Sequence, residues 1–336
     1  MAARRQRLIV AALAFAVVAV CGLAWFACSP MNWSGRASRV VVTIPPGASA
    51  SGIGAILEQA GVIRSRIVFR VLALAMGLES KLKAGDYELD PARGTVAILS
   101  DISSGKVLRV NVTIPEGSTA RQVARIVASR GLASEDEVMA LVVHPTPELL
   151  AIVGAASGDG SLEGYLFPDT YQFARGVGAH EVVRAMLRRF AEVIQPRLAQ
   201  GRALGLSDRE VLILASIVER EAKVGQERPK ISRVFLNRIR LGMPLQSCAT
   251  VQYALPQSKD KLLLEDLTVD SPYNTYIHPG LPPGPICSPG LESVVAVLEP
   301  SSEDYLYFVA RNDGSHLFSR TYAEHLRAKA RAESGR

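Results

Sequence analysis

Apolar and polar positions fall into two registers along this chain, period two in short stretches and helical spacing in longer ones. In "VTIPPGAS" (42–49), Val42 and Ile44 alternate with polar residues as a strand with one inward face would, and Pro-x-Gly ends the run. Ile53, Ile56 and Leu57 follow at the spacing of a short amphipathic helix, which Gly61 closes. The same pattern recurs as "VTIPEGST" at 112–119, where Val123, Ile126, Val127 and Gly131 align with Ile53, Ile56, Leu57 and Gly61. Between the copies the pattern predicts an apolar helix over about 65–77, a strand in "AGDYEL" and a helix over about 94–104. "GAASGDGS" (154–161) reads as a linker or surface loop.

Beyond it the elements lengthen. A helix is expected over about 179–200, and another begins at Ser207, whose spacing to Glu210 makes a capping box. A third covers about 227–240 and stops at Gly242. Loops rich in proline and glycine follow, then a helix near 290–298, a strand in "YLYFVA" and a final helix from about 321. Short strands among longer helices make this an α+β chain.

The amino-terminal segment follows neither pattern. Arg4, Arg5 and Arg7 precede an uncharged run from Leu8 to Cys28, which as a helix spans roughly 30 Å, the thickness of bilayer hydrocarbon. A signal peptide's apolar region is shorter, about 7–15 residues, and no clean small-x-small site follows Cys28. Trp25, Phe26 and Ala27 before Cys28 suit lipid attachment poorly. The expectation is therefore a transmembrane anchor at 8–28, with 1–7 cytoplasmic by the positive-inside rule and the rest extracytoplasmic.

Composition narrows the chemistry. The chain has 336 residues, 48% of them hydrophobic, which is enough for more than one domain. A net charge of +6 favours anionic surfaces such as a membrane face or a cell-wall polymer, with a solvated helix face as the equal alternative, and no run interleaves basic and aromatic residues as a nucleic-acid platform would. The five histidines show no metal-ligand spacing, and no glycine loop that would cradle a cofactor phosphate precedes a helix. "SSGK" (103–106) lacks the companion motifs of penicillin-binding chemistry. Cys248 and Cys287 are the two cysteines of the exported part, an even pair that an oxidising compartment would allow to bridge.

"LASIVEREA" (214–222) sets Glu219 and Glu221 into an apolar helix. Glu219 lies about 80° from the centre of the stripe formed by Val211, Leu214, Ala215, Val218 and Ala222. Apolar neighbours would raise its pKa by desolvation and keep it protonated, the state a general acid needs. The plainer alternative is a surface ion pair with Lys223 at i,i+4.

These motifs together resemble one known family. "LASIVEREA", "ERPKISRVFLNRIRLGMPLQS", "EGYLFPDTY", "YNTYIHPGLPPGPI" and "LYFVA", in this order, are similar to the endolytic murein transglycosylases over about residues 40–325. The resemblance implies a membrane anchor, a LysM-like module (39–108), a second βα module or connector (109–153) and a catalytic domain (160–330). It places Glu219 at the family's catalytic glutamate. It implies a lyase that cuts peptidoglycan strands internally, with the sugar's C6 hydroxyl as nucleophile and one carboxylate as acid and then base. A hydrolase usually needs two carboxylates. No cofactor is implied; the partners are glycan strands, the bilayer and peptidoglycan synthases. Glu163, Asp169 and Tyr171 would line the cleft, with a capping carboxylate as the alternative, and Gln246, Thr250, Asn274 and Tyr276 would bind sugar groups. The chain departs from the family at Cys248-Ala249, where Asp-Pro is common, which puts a cleft role for residue 248 in doubt. The other function considered is a non-enzymatic scaffold that binds the cell wall.

Overall fold

The computed structural model describes residues 22, 25–26, 28–31, 39–154, 160–257, 259 and 261–334. The expected anchor at 8–28 lies almost wholly outside them. Among the described residues no helix is long and apolar enough to cross a membrane. Two compact units are present, one running to Val110 with Gln172–Gly176 added, the other made of Asn111–Tyr171 and Val177–Arg336.

The first unit is a βααβ arrangement followed by a helix. Strand β1 (Val40–Ile44) pairs antiparallel with β2 (Gly85–Leu89), in a register that sets Val42 opposite Tyr87. Between them run α1 (Ala50–Gln59) and α2 (Arg66–Ala75), and α3 (Thr95–Ser104) follows β2. Ser49 and Ser65 cap α1 and α2 by accepting backbone N–H bonds, as small hydroxyl residues do at helix starts. Val42, Ile44, Ile53, Leu57, Phe69 and Tyr87 close the core.

The second unit opens on the second copy of the repeat. Strand β3 (Arg109–Thr113) pairs with β4 (Thr170–Ala174), and α4 (Ala120–Ser129) is capped by Thr119, the counterpart of Ser49. Two short helices, α5 (Glu135–Val143) and α6 (Pro147–Val153), precede β4, and α7 (Ala179–Val193) packs on both. The helix expected to run to about residue 200 stops earlier. A proline cannot donate into the ladder, and α8 (Gln195–Leu198), which contains Pro196, is a separate short piece. Of the segment 109–153, residues 111–153 thus share a unit with residues 177–336.

At the centre lies α9 (Asp208–Glu221), started by the Ser207–Glu210 capping box and buried without interruption from Val211 to Val218. Packed on it are α10 (Arg228–Arg240), α11 (Cys248–Ala254) and α12 (Leu291–Leu298). The hairpin of β5 (Tyr307–Ala310) and β6 (His316–Ser319) and helix α13 (Tyr322–Glu333) complete the unit. This is an α+β fold with three two-stranded sheets among the described residues.

Candidate active site

Three stretches distant in sequence meet at the carboxyl end of α9. Ser216, fully buried, accepts the N–H of Ile286 at 3.0 Å and seats the loop "GPICSPG" on the helix. That loop exchanges two backbone bonds with the turn of the second repeat, Ser288 N–H to Ser118 O and Gly117 N–H to Ser288 O, both 2.9 Å. Gly117 has φ +73°, a conformation glycine adopts without strain, and the Cβ it lacks would contact Glu219 and Arg220. Gly164 of "EGYLFPDTY" lies so near Pro285 that a Cβ would come within 2.5 Å of it.

Glu219 sits in the last turn of α9 with 7% of its side chain exposed. Its Oε2 accepts from the N–H of Gly290 at 3.0 Å and from the hydroxyl of Ser293 at 2.7 Å. Its Oε1 accepts from the Arg228 guanidinium at 3.4 Å, while Arg228 Nε donates to the Ser293 hydroxyl at 3.0 Å. Gly290 is the N-cap of α12, so the carboxylate lies where that helix presents free N–H groups and the positive end of its dipole. Arg228 opens α10, where the preceding Glu227 is pinned by the backbone N–H and ring of His316. The hydrocarbon flank expected from the helical stripe therefore surrounds the helix but not the carboxyl group, which is held by donors. Nor is the ion partner Lys223. Residue 222 turns to extended backbone (ψ 110°) and ends the helix before Lys223 can complete an i,i+4 pair.

A second carboxylate stands beside the first. Glu116, from the turn of the second repeat, has its Oε2 4.0 Å from Arg228 and half its side chain exposed. Burial and the nearby Glu219 push its pKa above the ordinary carboxylate value. It rests against Gly290, where a Cβ would lie 2.1 Å from Glu116 Oε1. Glu221, two residues after Glu219, points elsewhere. It accepts from the Ser247 hydroxyl and, at 3.3 Å, from the Ala249 N–H, tying α9 to the start of α11.

The remaining expected residues separate into those near open space and those inside the fold. Glu163 lines a cavity of about 680 Å³ together with Arg220, the neighbour of Glu219. Its carboxylate caps α4 by accepting the Ala120 N–H at 2.9 Å and takes a longer bond, 3.3 Å, from Tyr253. Burial pushes its pKa up to about 7 against those donors. Asp169 is instead a partner of Arg189 on α7 at 2.8 Å, and the Tyr171 hydroxyl donates to Phe167 O. Gln246 is exposed, held at φ 53° by a backbone bond to Thr275 O, and accepts from Arg238 at 3.4 Å.

Thr250 and Asn274 require correction as sugar contacts, because both are fully buried. Thr250 donates to Ser247 O and meets Thr275 Oγ1, each at 2.8 Å. The Asn274 amide donates to Leu267 O and Val269 O, and its carbonyl accepts the Tyr276 N–H. They brace the loops instead of facing a ligand. The expected disulfide is likewise absent, since Cys248 and Cys287 are both free. Cys248 is exposed beside the Tyr276 hydroxyl at 3.2 Å, whereas Cys287 is buried against Ser216 O at 3.3 Å.

A family model described as YceG-like matches residues 42–331. The chain belongs to the YceG-like family. A protein of Bacillus subtilis (strain 168) named endolytic murein transglycosylase is 34% identical over 304 residues, covering 87% of this chain and 84% of that one. A protein of the same name from Streptococcus pneumoniae serotype 2 (strain D39 / NCTC 7466) is 31% identical over 327 residues. That match covers 86% of this chain but only 59% of the longer relative. The crystal structure of a yceG-like protein from Listeria monocytogenes superposes with a TM-score of 0.60 at 35% identity, covering 86% of this chain and 98% of that one.

For this member of the family, sequence reasoning missed Glu116, Arg228, Gly290 and Ser293, all of which surround Glu219. One signal was present for Glu116. The two copies of the repeat differ at that position, with Pro46 in the first and Glu116 in the second, although the turn is otherwise the same. Arg228, Gly290 and Ser293 carry no local signal, because they reach Glu219 only through the packing of α10 and α12 on α9.

Proposed function

We propose that this chain is an endolytic peptidoglycan transglycosylase, with Glu219 as its single acid and base. The name of its relatives supports the substrate and the reaction class. The observation that carries the assignment is the enclosed Glu219 carboxylate, fixed by the Gly290 N–H, the Ser293 hydroxyl and the Arg228 guanidinium.

Protonated Glu219 gives its proton to the oxygen linking N-acetylmuramic acid to N-acetylglucosamine, and the bond from that oxygen to C1 breaks. The charge left on Glu219 falls where three donors are already aimed, so little reorganisation is needed. The C6 hydroxyl oxygen then attacks C1, and its proton returns to Glu219. The products are a free N-acetylglucosamine hydroxyl and a 1,6-anhydro ring. No water is consumed.

The uncharged run at 8–28 behind Arg4, Arg5 and Arg7 supports a single-pass anchor in the plasma membrane with the catalytic part outside. The βααβ first unit supports the LysM-like reading of 39–108. Strands held beside a membrane-bound enzyme would be cut as they are made, ending their growth, which brings peptidoglycan synthases into reach as partners. A reporter active only outside the cytoplasm, fused after Arg336, should be active; an inactive reporter on stable protein contradicts this topology.

The chemistry is tested by Glu219→Gln on purified glycan strands. Acid and base assistance supplies about 10²–10⁴-fold, so cleavage should fall by at least that factor while strand binding persists. A variant that still cuts at near the wild-type rate would rule out Glu219 as the proton donor.

A further inference from the structure

The cavity lined by Glu163 is built of charges that a neutral sugar does not need. Arg121 and Arg125 from α4 and Arg220 from α9 all line it, with Met139, Leu255 and Ile286 supplying apolar wall. Its volume, about 680 Å³, lies within the range of ligand pockets. Arg220 follows Glu219 directly and donates to Gly117 O at 3.3 Å, and both side chains lie over Gly117. The cavity is thus next to the acid that would protonate the glycosidic oxygen.

Its charge is one-sided. Glu163 is the only carboxylate among the described residues of the lining, and it is already engaged by the Ala120 N–H and the Tyr253 hydroxyl. Arg125 has an exposed partner in Glu135 at 3.3 Å, while Arg121 has no ion-pair partner among the described residues. Guanidinium groups match carboxylates through paired, charge-assisted hydrogen bonds, whereas hydroxyl and acetamido groups are well served by neutral partners. On a peptidoglycan strand the carboxylates are carried by the peptide stem, which hangs from the lactyl group of N-acetylmuramic acid. That is the sugar whose C1 the reaction opens, and the stem's alanines supply small apolar groups.

We propose that this cavity is a subsite for the carboxylate-bearing peptide stem of the muramic acid at the cleavage point, with Arg121 and Arg125 as specificity-determining residues. The proposal rests on the transglycosylase reading and adds to it that the enzyme selects strands which still carry peptides.

The test uses the full chain in detergent and three substrates: strands with tetrapeptide stems, the same strands stripped of peptide by an amidase with the lactyl carboxylate this frees capped as its methylamide, and strands whose stem carboxylates are amidated. Wild type should show a KM at least tenfold lower on peptide-bearing strands than on the other two, with kcat little changed. Arg121→Ala combined with Arg125→Ala should raise the KM on peptide-bearing strands to the stripped value and leave stripped strands unaffected. Both residues are exposed, so the variant should fold, and a thermal melt checks this. Equal KM values for wild type on all three substrates, or an equal loss on all three in the variant, would overturn the subsite. If wild type cuts none of them, the transglycosylase reading fails on its own. Calorimetry with the disaccharide-tetrapeptide monomer then decides the subsite alone, supporting it if the double variant abolishes binding and overturning it if binding is retained.

Discussion

The backbone N–H of Gly290 donates to Glu219 Oε2 at 3.0 Å, so the start of α12 and the last turn of α9 meet on one carboxylate. The same glycine makes room for Glu116, whose Oε1 a Cβ would approach to 2.1 Å.

That contact gives the first prediction. Gly290 has φ −73°, so alanine fits the backbone there and only displaces the flexible end of Glu116. With Glu116 gone, Arg228 no longer divides its charge between two carboxylates and holds Glu219 alone. Gly290→Ala and Glu116→Gln should therefore lower kcat/KM alike, by about tenfold, or roughly 1.4 kcal/mol of transition-state stabilisation. Both should melt close to wild type. Steady-state kinetics on one strand preparation compares them, and activity unchanged in Glu116→Gln would remove Glu116 from the site.

Much of the frame around this contact is legible in the sequence. The two Pro-x-Gly turns mark where β1 and β3 end, and Ser49, Thr119 and Ser207 announce α1, α4 and α9 by their capping chemistry. Glu219 stands out because an acid in an apolar helix needs a reason. Its surroundings are not legible, since Gly290 and Ser293 lie some seventy residues away and reach it through helix packing. The helical stripe describes what the helix buries, and the carboxyl group extends past that stripe to the end of another helix. Helices α5 and α6 were readable from Ser134-x-x-Glu137 and from Thr146 before Pro147, cues as strong as the one at Ser207. The cysteine pair shows the limit of counting, for an even number says nothing of whether two thiols face one another.

Glu163 yields a pH prediction. Its folded-state pKa is raised from the ordinary 4.5 to about 7, so its contribution to stability is fully present below 4.5 and is lost as pH rises through 7. The loss is at most about 3–4 kcal/mol. Glu163→Gln cannot ionise and should escape it. Thermal melts from pH 5 to pH 8.5 should show the variant gaining on wild type as pH rises to about 7 and levelling off above it. A constant difference across that range would contradict an enclosed, titrating carboxyl.

Glu221 separates support from chemistry. Its bonds to Ser247 and Ala249 hold α11 against α9, and each such bond to a charged group is worth roughly 1.5–3 kcal/mol before the substitute's own hydrogen bonds are counted. Glu221→Gln keeps an acceptor and should lower the melting temperature by a few degrees while retaining most cleavage. A loss of cleavage as deep as that of Glu219→Gln, in folded protein, would show that the two acids work together.

The central claim is that one carboxylate, Glu219, serves as acid and then base while the substrate supplies the nucleophile. Mass spectrometry of strands digested by wild type in water enriched in heavy oxygen measures this directly. The new ends should be 1,6-anhydro-N-acetylmuramic acid with no solvent oxygen incorporated. Reducing-end muramic acid carrying heavy oxygen would instead show that water attacks C1, and the single-carboxylate account would be wrong.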